Sequence, residues 1–278
     1  MYDPYITALN SQKAALAWFD ATARNLGNLY TPGYKEERIG FSDFMNGVQL
    51  KELERNEGQG KSHPGKGPTN LMVEGDGYFV IRKDDGSLRY TRVGDFKFNA
   101  NGSLENESGD KVQGYLMAED GTVVDTQGSM PSPAGNNPTQ SQGGPGHIPT
   151  TEINLWVDPS NGKFFGKYDE YKVRSDGVVV GLKDNGKESV PLYKVALANF
   201  RNPMALRMVE DQNFVPSEMS GEPMEGTGEV RSGLVELSNV SVREQVSYIQ
   251  QAKLQLDISA KLISTNKTLL EEALRLIQ

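Results

Sequence analysis

The chain has no cysteine. Disulfide scaffolds, thiolate metal sites and cysteine nucleophiles are excluded together. Histidine is nearly absent too: His63 in KSHPGK and His147 in GPGHIP both sit in Gly/Pro-rich text. Neither has a serine or carboxylate motif at a recognisable spacing, so a Ser-His-Asp site is not supported. No apolar run approaches the roughly 20 residues that span a bilayer, and the N-terminus lacks a basic region followed by an uninterrupted apolar one. A cleavable secretory signal is therefore not expected. Positive charge is outnumbered, with 29 Lys and Arg against 37 Asp and Glu and a formal net charge of −8. Such a surface cannot neutralise a run of phosphates, which argues against nucleic acid and anionic membrane as partners.

Several stretches imitate functional motifs and lack their essential parts. FNANGSLENE, residues 98–107, carries an Asx-x-Asx-Gly run without the first acidic ligand of a calcium loop, and its glycine serves a hairpin turn equally well. EGDGYF, residues 74–79, leads into a strand rather than a helix N-terminus and has no third glycine, so it is read as a bulge or tight turn and not as a phosphate cradle. The paired carboxylates Asp84-Asp85 and Glu36-Glu37 are read as solvated surface. No cofactor, metal, small-molecule substrate or enzymatic activity is expected.

What the sequence does contain is organised from the ends inward. From Tyr2 to about Leu29 it is rich in Ala, Leu and polar residues, with no Pro or Gly between Pro4 and Gly27, which suits a helix. Leu9, Leu16 and Ala23 recur every seven residues, with Ile6 and Lys13 each three residues ahead. Thr31-Pro32-Gly33-Tyr34 then ends the helix: Pro32 presets φ for the second position of a type II turn and Gly33 supplies positive φ at the third. Residues 35–69 begin with the apolar anchors Ile39, Phe41 and Phe44, decay into charged, Gly-rich text, and read as a connector.

From residue 70 to about 237 short alternating runs are punctuated by KDDGS, NANGS, AEDGT, RSDGV and KDNGK. These are closely spaced hairpin signals, and they predict a mainly antiparallel β domain. Within it, residues 127–152 have almost no apolar side chain to bury and read as a flexible insertion.

The last 40 residues return to helix. With Val246 at a heptad a position, Ile249, Leu256, Ile263, Leu270 and Ile277 all fall at d, while Val246, Lys253, Ala260, Lys267 and Leu274 occupy a. A helix from about Val242 to Ile277 extends about 50 Å, longer than a small β domain is wide. The N-terminal helix is its natural partner but is shorter, so d positions are left for neighbouring copies to cover. The expected fold class is thus α+β: residues 1–34 and 238–278 form a coiled-coil-like helical inner domain, 35–69 a connector, and 70–237 a β-rich outer domain. The expected packing residues between subunits are Ile6, Leu9, Leu16, Ala23, Val246, Ile249, Leu256, Ala260, Ile263, Leu270, Leu274 and Ile277.

The segments flanking these elements resemble the rod and hook family of bacterial flagellar axial proteins. NLGNLYTPGYKEE, residues 25–37, is similar to that family's Asn-Leu-Ala-Asn-x-x-Thr-Pro-Gly-Tyr-Lys signature, with Gly27 where Ala is usual; Asn28, Thr31, Pro32, Gly33 and Tyr34 match it. Gly75, Gly77, Tyr78 and Phe79 in LMVEGDGYFVI resemble the Gly-x-Gly-Phe-Phe stretch, and Tyr90, Thr91, Arg92, Gly94 and Phe96 resemble the Tyr-Thr-Arg-x-Gly-x-Phe segment. FRNP, residues 200–203, is similar to the family's Phe-x-Asn-Pro segment. Glu236, Ser238, Asn239 and Val240 match its Glu-x-Ser-Asn-Val lead into the C-terminal helix.

The resemblance implies a non-enzymatic structural subunit of the flagellar basal body. Its terminal helices would stack with those of neighbouring copies into the inner tube of a helical assembly, with the β domain outside. The implied partners are copies of itself, other rod and hook proteins, and the type III export apparatus that carries such subunits unfolded across the inner membrane. Total length favours a distal rod subunit; a proximal rod or short hook subunit is the alternative within the family. From another class, a secreted β-rich adhesion protein on a coiled-coil stalk would share the heptads and turns, but such a stalk needs only one helix per chain.

Overall fold

The computed structural model describes residues 4–44, 47–118, 121–123, 150–155, 168 and 170–277. Most of the expected insertion, residues 127–149, lies outside them. The chain divides into two compact units: Met1–Thr31, Lys35–Gly58 and Ser238–Gln278 in one, Pro32–Tyr34 and Gln59–Leu237 in the other. The fold is α+β, with a helix at each end and an antiparallel β domain between them.

In the first unit, α1 (Pro4–Gly27) packs along α2 (Val242–Ile277) and against a hairpin, β1 (Glu37–Phe44) and β2 (Gly47–Arg55). The stretch read from sequence as a connector thus carries regular structure. Glu37 pairs with Arg55 and Phe44 with Gly47, and the register shifts between Ile39 and Phe41.

In the second unit each hairpin signal sits at a turn. After β3 (Ser62–Pro64) and β4 (Leu71–Glu74), strands β5 (Tyr78–Arg82) and β6 (Leu88–Thr91) pair with Val80 opposite Tyr90. KDDGS closes their turn through the Lys83 N–H to Ser87 carbonyl bond at 3.0 Å. NANGS closes Lys97–Phe98 onto Leu104–Glu105, AEDGT brings the Ala118 N–H to the Thr122 carbonyl at 2.8 Å, and RSDGV and KDNGK join three successive strands from Glu170 to Val195.

The main sheet runs Glu170–Val173, Val178–Lys183, Glu188–Val195, Lys111–Leu116, β5, β6, Asn213–Val215 and Arg207–Met208, each strand antiparallel to the next. All five residues of β5 are buried. Phe79 and Ile81 enter one core with Leu71, Phe96, Leu104 and Val112, whereas Tyr78 and Val80 enter a second with Tyr90, Phe200 and Phe214. This is why YFVI is an unbroken apolar run: period-2 alternation places its side chains on two faces, and both are covered.

Candidate assembly site

The helix pair carries the surface that the sequence points to. Asn25 lies against Gln245, and the Trp18 and Tyr248 rings are 5.7 Å apart, so α1 and α2 run antiparallel from the end of the first and the start of the second. This register sets Ser11 level with Ser259 and the start of α1 level with about residue 266. α2 has 36 residues against 24 in α1, and its final turns extend roughly 16 Å, at ~1.5 Å per residue, past the end of its partner.

The face of α1 turned into the unit is made of Ala8, Ser11, Ala14, Ala15, Ala21, Thr22 and Asn25, all buried. Small side chains at these i, i+3, i+4 positions allow the close approach of the two helices. The leucine column at Leu9, Leu16 and Ala23 is a different face: Leu9 is half-buried, whereas Ile6, Leu16 and Ala23 are exposed, as are Tyr5 and Phe19. On α2 the d residues Ile249, Leu256 and Ile263 are half-buried. The column beside them in the seam is Gln245, Ala252, Ser259 and Asn266, one position before the expected a column. Val246, Ala260 and Leu274 stand exposed, together with Leu270. The expected frame is corrected by one residue because a seam that accepts small and polar residues has no hydrophobic signature. Ile277 belongs to α2, and its side chain lies outside the described residues.

α2 therefore has a second apolar stripe pointing away from α1, formed by Val246, Leu254, Ile258, Leu262 and Leu269, and an overhang where Leu270 and Leu274 are each 64% exposed. α1 adds its outer stripe of Tyr5, Leu16 and Phe19. Among the described residues these helices hold most of the exposed large apolar side chains, a concentration unlike the single scattered exposures of an ordinary surface.

A buried polar junction sits where the helices meet the hairpin. Glu36, at 1% exposure, is the opposite of the solvated carboxylate expected of it. Its Oε1 accepts from Gln245 Nε2 at 2.7 Å, and its Oε2 accepts from Asn56 Nδ2 at 2.9 Å and Arg38 Nε at 2.8 Å. Burial of a carboxylate is tolerable only with such partners. Asn25 behaves like a strand neighbour: its Nδ2 donates to the Glu37 carbonyl (2.8 Å), and its Oδ1 accepts from the Glu37 N–H (2.9 Å). Asn239 accepts the Glu36 N–H at 2.7 Å and donates to the carbonyls of Asn56 and Gly58. Asn25, Asn56 and Gln245 were not assigned a role from the sequence, and Glu36 was read only as surface; the signal available was a polar residue interrupting each helix's small-residue seam.

The remaining motif residues close the ends of the helices and the core of the β domain. Asn28 Nδ2 donates to the Arg24 carbonyl and Thr31 Oγ1 to Asn28 Oδ1, ending α1. In the second unit Gly33 has φ +67°, and a Cβ there would lie 2.9 Å from Val93, so the turn requires glycine for both conformation and space. The Gly33 N–H donates to the Glu236 carbonyl at 2.9 Å, the Glu236 carboxylate lies 3.5 Å from Arg92, and the Arg92 guanidinium stacks over Tyr78 at 5.2 Å. Pro32 and Tyr34 belong to the same unit, with Tyr34 buried. Gly75 and Gly77 form the turn before β5; Phe79 and Phe96 meet edge-on at 5.1 Å; Thr91 Oγ1 donates to the Gln212 carbonyl; Ser238 Oγ accepts the Val240 N–H.

Comparison with known proteins places this geometry. Residues 72–181 match the family model described as the flagellar hook protein FlgE/F/G D1 domain. The flagellar basal-body rod protein FlgG of Borreliella burgdorferi is 24% identical over 95% of this chain and 94% of its own length. That of Buchnera aphidicola subsp. Acyrthosiphon pisum is 25% identical over 96% and 95%. The flagellar hook protein FlgE of Brucella suis is 23% identical over 98% of both chains, but the alignment needs 390 positions, against 294 and 296 for the two rod proteins.

Proposed function

Because the chain belongs to the flagellar rod and hook family, we propose that it is a distal rod subunit, which self-assembles through its terminal helices into the tube that transmits torque from motor to hook and filament. The carrying observation is the outward apolar stripe of α2 with its leucine-bearing overhang, which nothing within one chain covers among the described residues. Burying a Leu or Ile side chain contributes roughly 1.5–3 kcal/mol, so repeated contacts along the stripe provide ample driving force for a helical polymer.

The choice of rod over hook rests on length. The chain aligns with the rod relatives nearly end to end, whereas the Brucella suis hook alignment opens more than a hundred additional positions in a chain of 278 residues. Partners on this reading are further copies, adjoining rod and hook proteins and the export apparatus. The location on this reading is the basal body. Deleting the gene and imaging basal bodies by electron microscopy tests the reading. A rod that stops short of its distal part, with no hook, is expected; a complete rod lacking only the hook points to a hook subunit, and an intact flagellum overturns the family role itself.

A further inference from the structure

The polar junction raises a question that packing answers only in part: beside the Trp18–Tyr248 contact and the half-buried Ile249, Leu256 and Ile263, the fully buried seam residues are mostly Ala and Ser, which distinguish poorly between alignments one heptad apart. Ala8 and Ala15 on α1, and Ala252 and Ser259 on α2, are each separated by seven residues and are near-equivalent in size. Among the described buried residues of α1, Asn25 at its end is committed to specific hydrogen bonds outside its own helix.

We propose that the Asn25–Gln245–Glu36 cluster is a register lock, which permits α1 and α2 to pair in one alignment only and makes that alignment depend on docking of the β1–β2 hairpin. Gln245 is fully buried, and its amide is used at both ends: Oε1 accepts from Asn25 Nδ2 at 3.1 Å and Nε2 donates to Glu36 Oε1 at 2.7 Å. Glu36 is tied in turn to Asn56 next to β2, and Asn25 to both backbone polar groups of Glu37. A slip of seven residues would set Ser11 level with Ala252 or Asn266, again small or polar, but it would strand the buried Gln245 amide and leave Asn25 and Glu36 each without one of its buried hydrogen bonds. Stranded buried polar groups, not lost apolar contact, are what penalise the wrong register. A single polar residue in an apolar helix seam can set register in this way. The lock is a property of one chain; its bearing on assembly rests on the rod-subunit reading, since only a fixed register presents the two outward stripes at constant relative height.

The absence of cysteine makes the test direct. In the full-length chain, Ser11→Cys is combined separately with Ser259→Cys, Ala252→Cys or Asn266→Cys, and intrachain disulfide yield after mild oxidation is read by gel mobility and mass spectrometry. In the otherwise unaltered chain the Ser11–Ser259 pair alone should cross-link. With Gln245→Leu, and independently with Asn25→Leu, the pairs one heptad away should gain about tenfold or more relative to the 11–259 pair, the scale set by one buried polar mismatch. Exchanging the partners, Glu36→Gln with Gln245→Glu, should restore the single register. Three outcomes overturn the lock: no 11–259 bond in the unaltered chain, an unchanged 11–259 preference in both leucine variants, or an equal fall of all three bonds, which would mark loss of stability without slip. None depends on polymerisation, so failure of the lock and failure of the rod reading are separately visible.

Discussion

A Cβ added at Gly94 would lie 1.6 Å from the carbonyl oxygen of Leu71, while the Gly94 carbonyl accepts the Leu71 N–H at 2.8 Å. The two backbones touch, and the core around Leu71, Phe79 and Phe96 is built over that contact. Gly94→Ala should therefore cost at least about 3 kcal/mol in urea unfolding of the β domain, because backbone rather than a flexible side chain must yield. Tyr90 gives a second residue-level test. Burial pushes its phenol up to about 12 from the usual 10, and its ring packs edge-on against Phe200 at 4.8 Å. The unfolded chain then loses this proton at lower pH than the folded one. The contribution of Tyr90 is complete below pH 10 and is lost progressively as pH rises toward 12, at up to roughly 1.4 kcal/mol per pH unit. Unfolding free energies measured between pH 9.5 and 11.5 should fall less steeply for Tyr90→Phe than for the unaltered chain; parallel slopes would refute the assignment.

At the scale of elements, legibility followed the strength of the local code. The five Gly-containing turns were readable because Asp-Gly, Asn-Gly and their neighbours dictate hairpin geometry over four or five residues. The helix stop was equally local: Pro32 and Gly33 fix it between them. The α1–α2 seam was not readable, since alanine and serine serve close helix packing and solvent-facing helix alike, and the eye follows Leu9 and Leu16 to the outer face instead. The β1–β2 hairpin was hidden by the charged residues of KELERN, and the burial of Glu36 by its resemblance to ordinary surface carboxylates; its partners come from residues 38, 56 and 245. The same pairing predicts a gradient in amide exchange along α2 in the dilute chain. Residues 246–266, backed by α1, should be protected well beyond residues 267–277, which have only their own helix. Uniform protection to the C-terminus would show that the overhang has a partner within the chain.

At the scale of the whole molecule, the rod-subunit reading predicts that the two heptad faces of the C-terminal helix separate folding from assembly. Ile263 is half-buried on the side of α1, so a charge there would damage the helix pair itself and leave the origin of any assembly defect ambiguous. Leu270 is 64% exposed, lies past the level at which α1 begins, and stands close to Leu269 and Leu274. Leu270→Asp should leave the thermal unfolding of the isolated protein within about 0.5 kcal/mol of the unaltered chain, as for most exposed substitutions. In a polymer the same change desolvates a carboxylate at an apolar contact in every subunit, a cost of several kcal/mol repeated along the tube. The expected result is a folded, exported subunit that forms no polymer and supports no motility, whereas Leu270→Met, which keeps volume and apolarity, assembles normally. Polymerisation of Leu270→Asp at the rate of the unaltered chain would remove the overhang from the contact surface and return the assembly role to the outer stripe of α1.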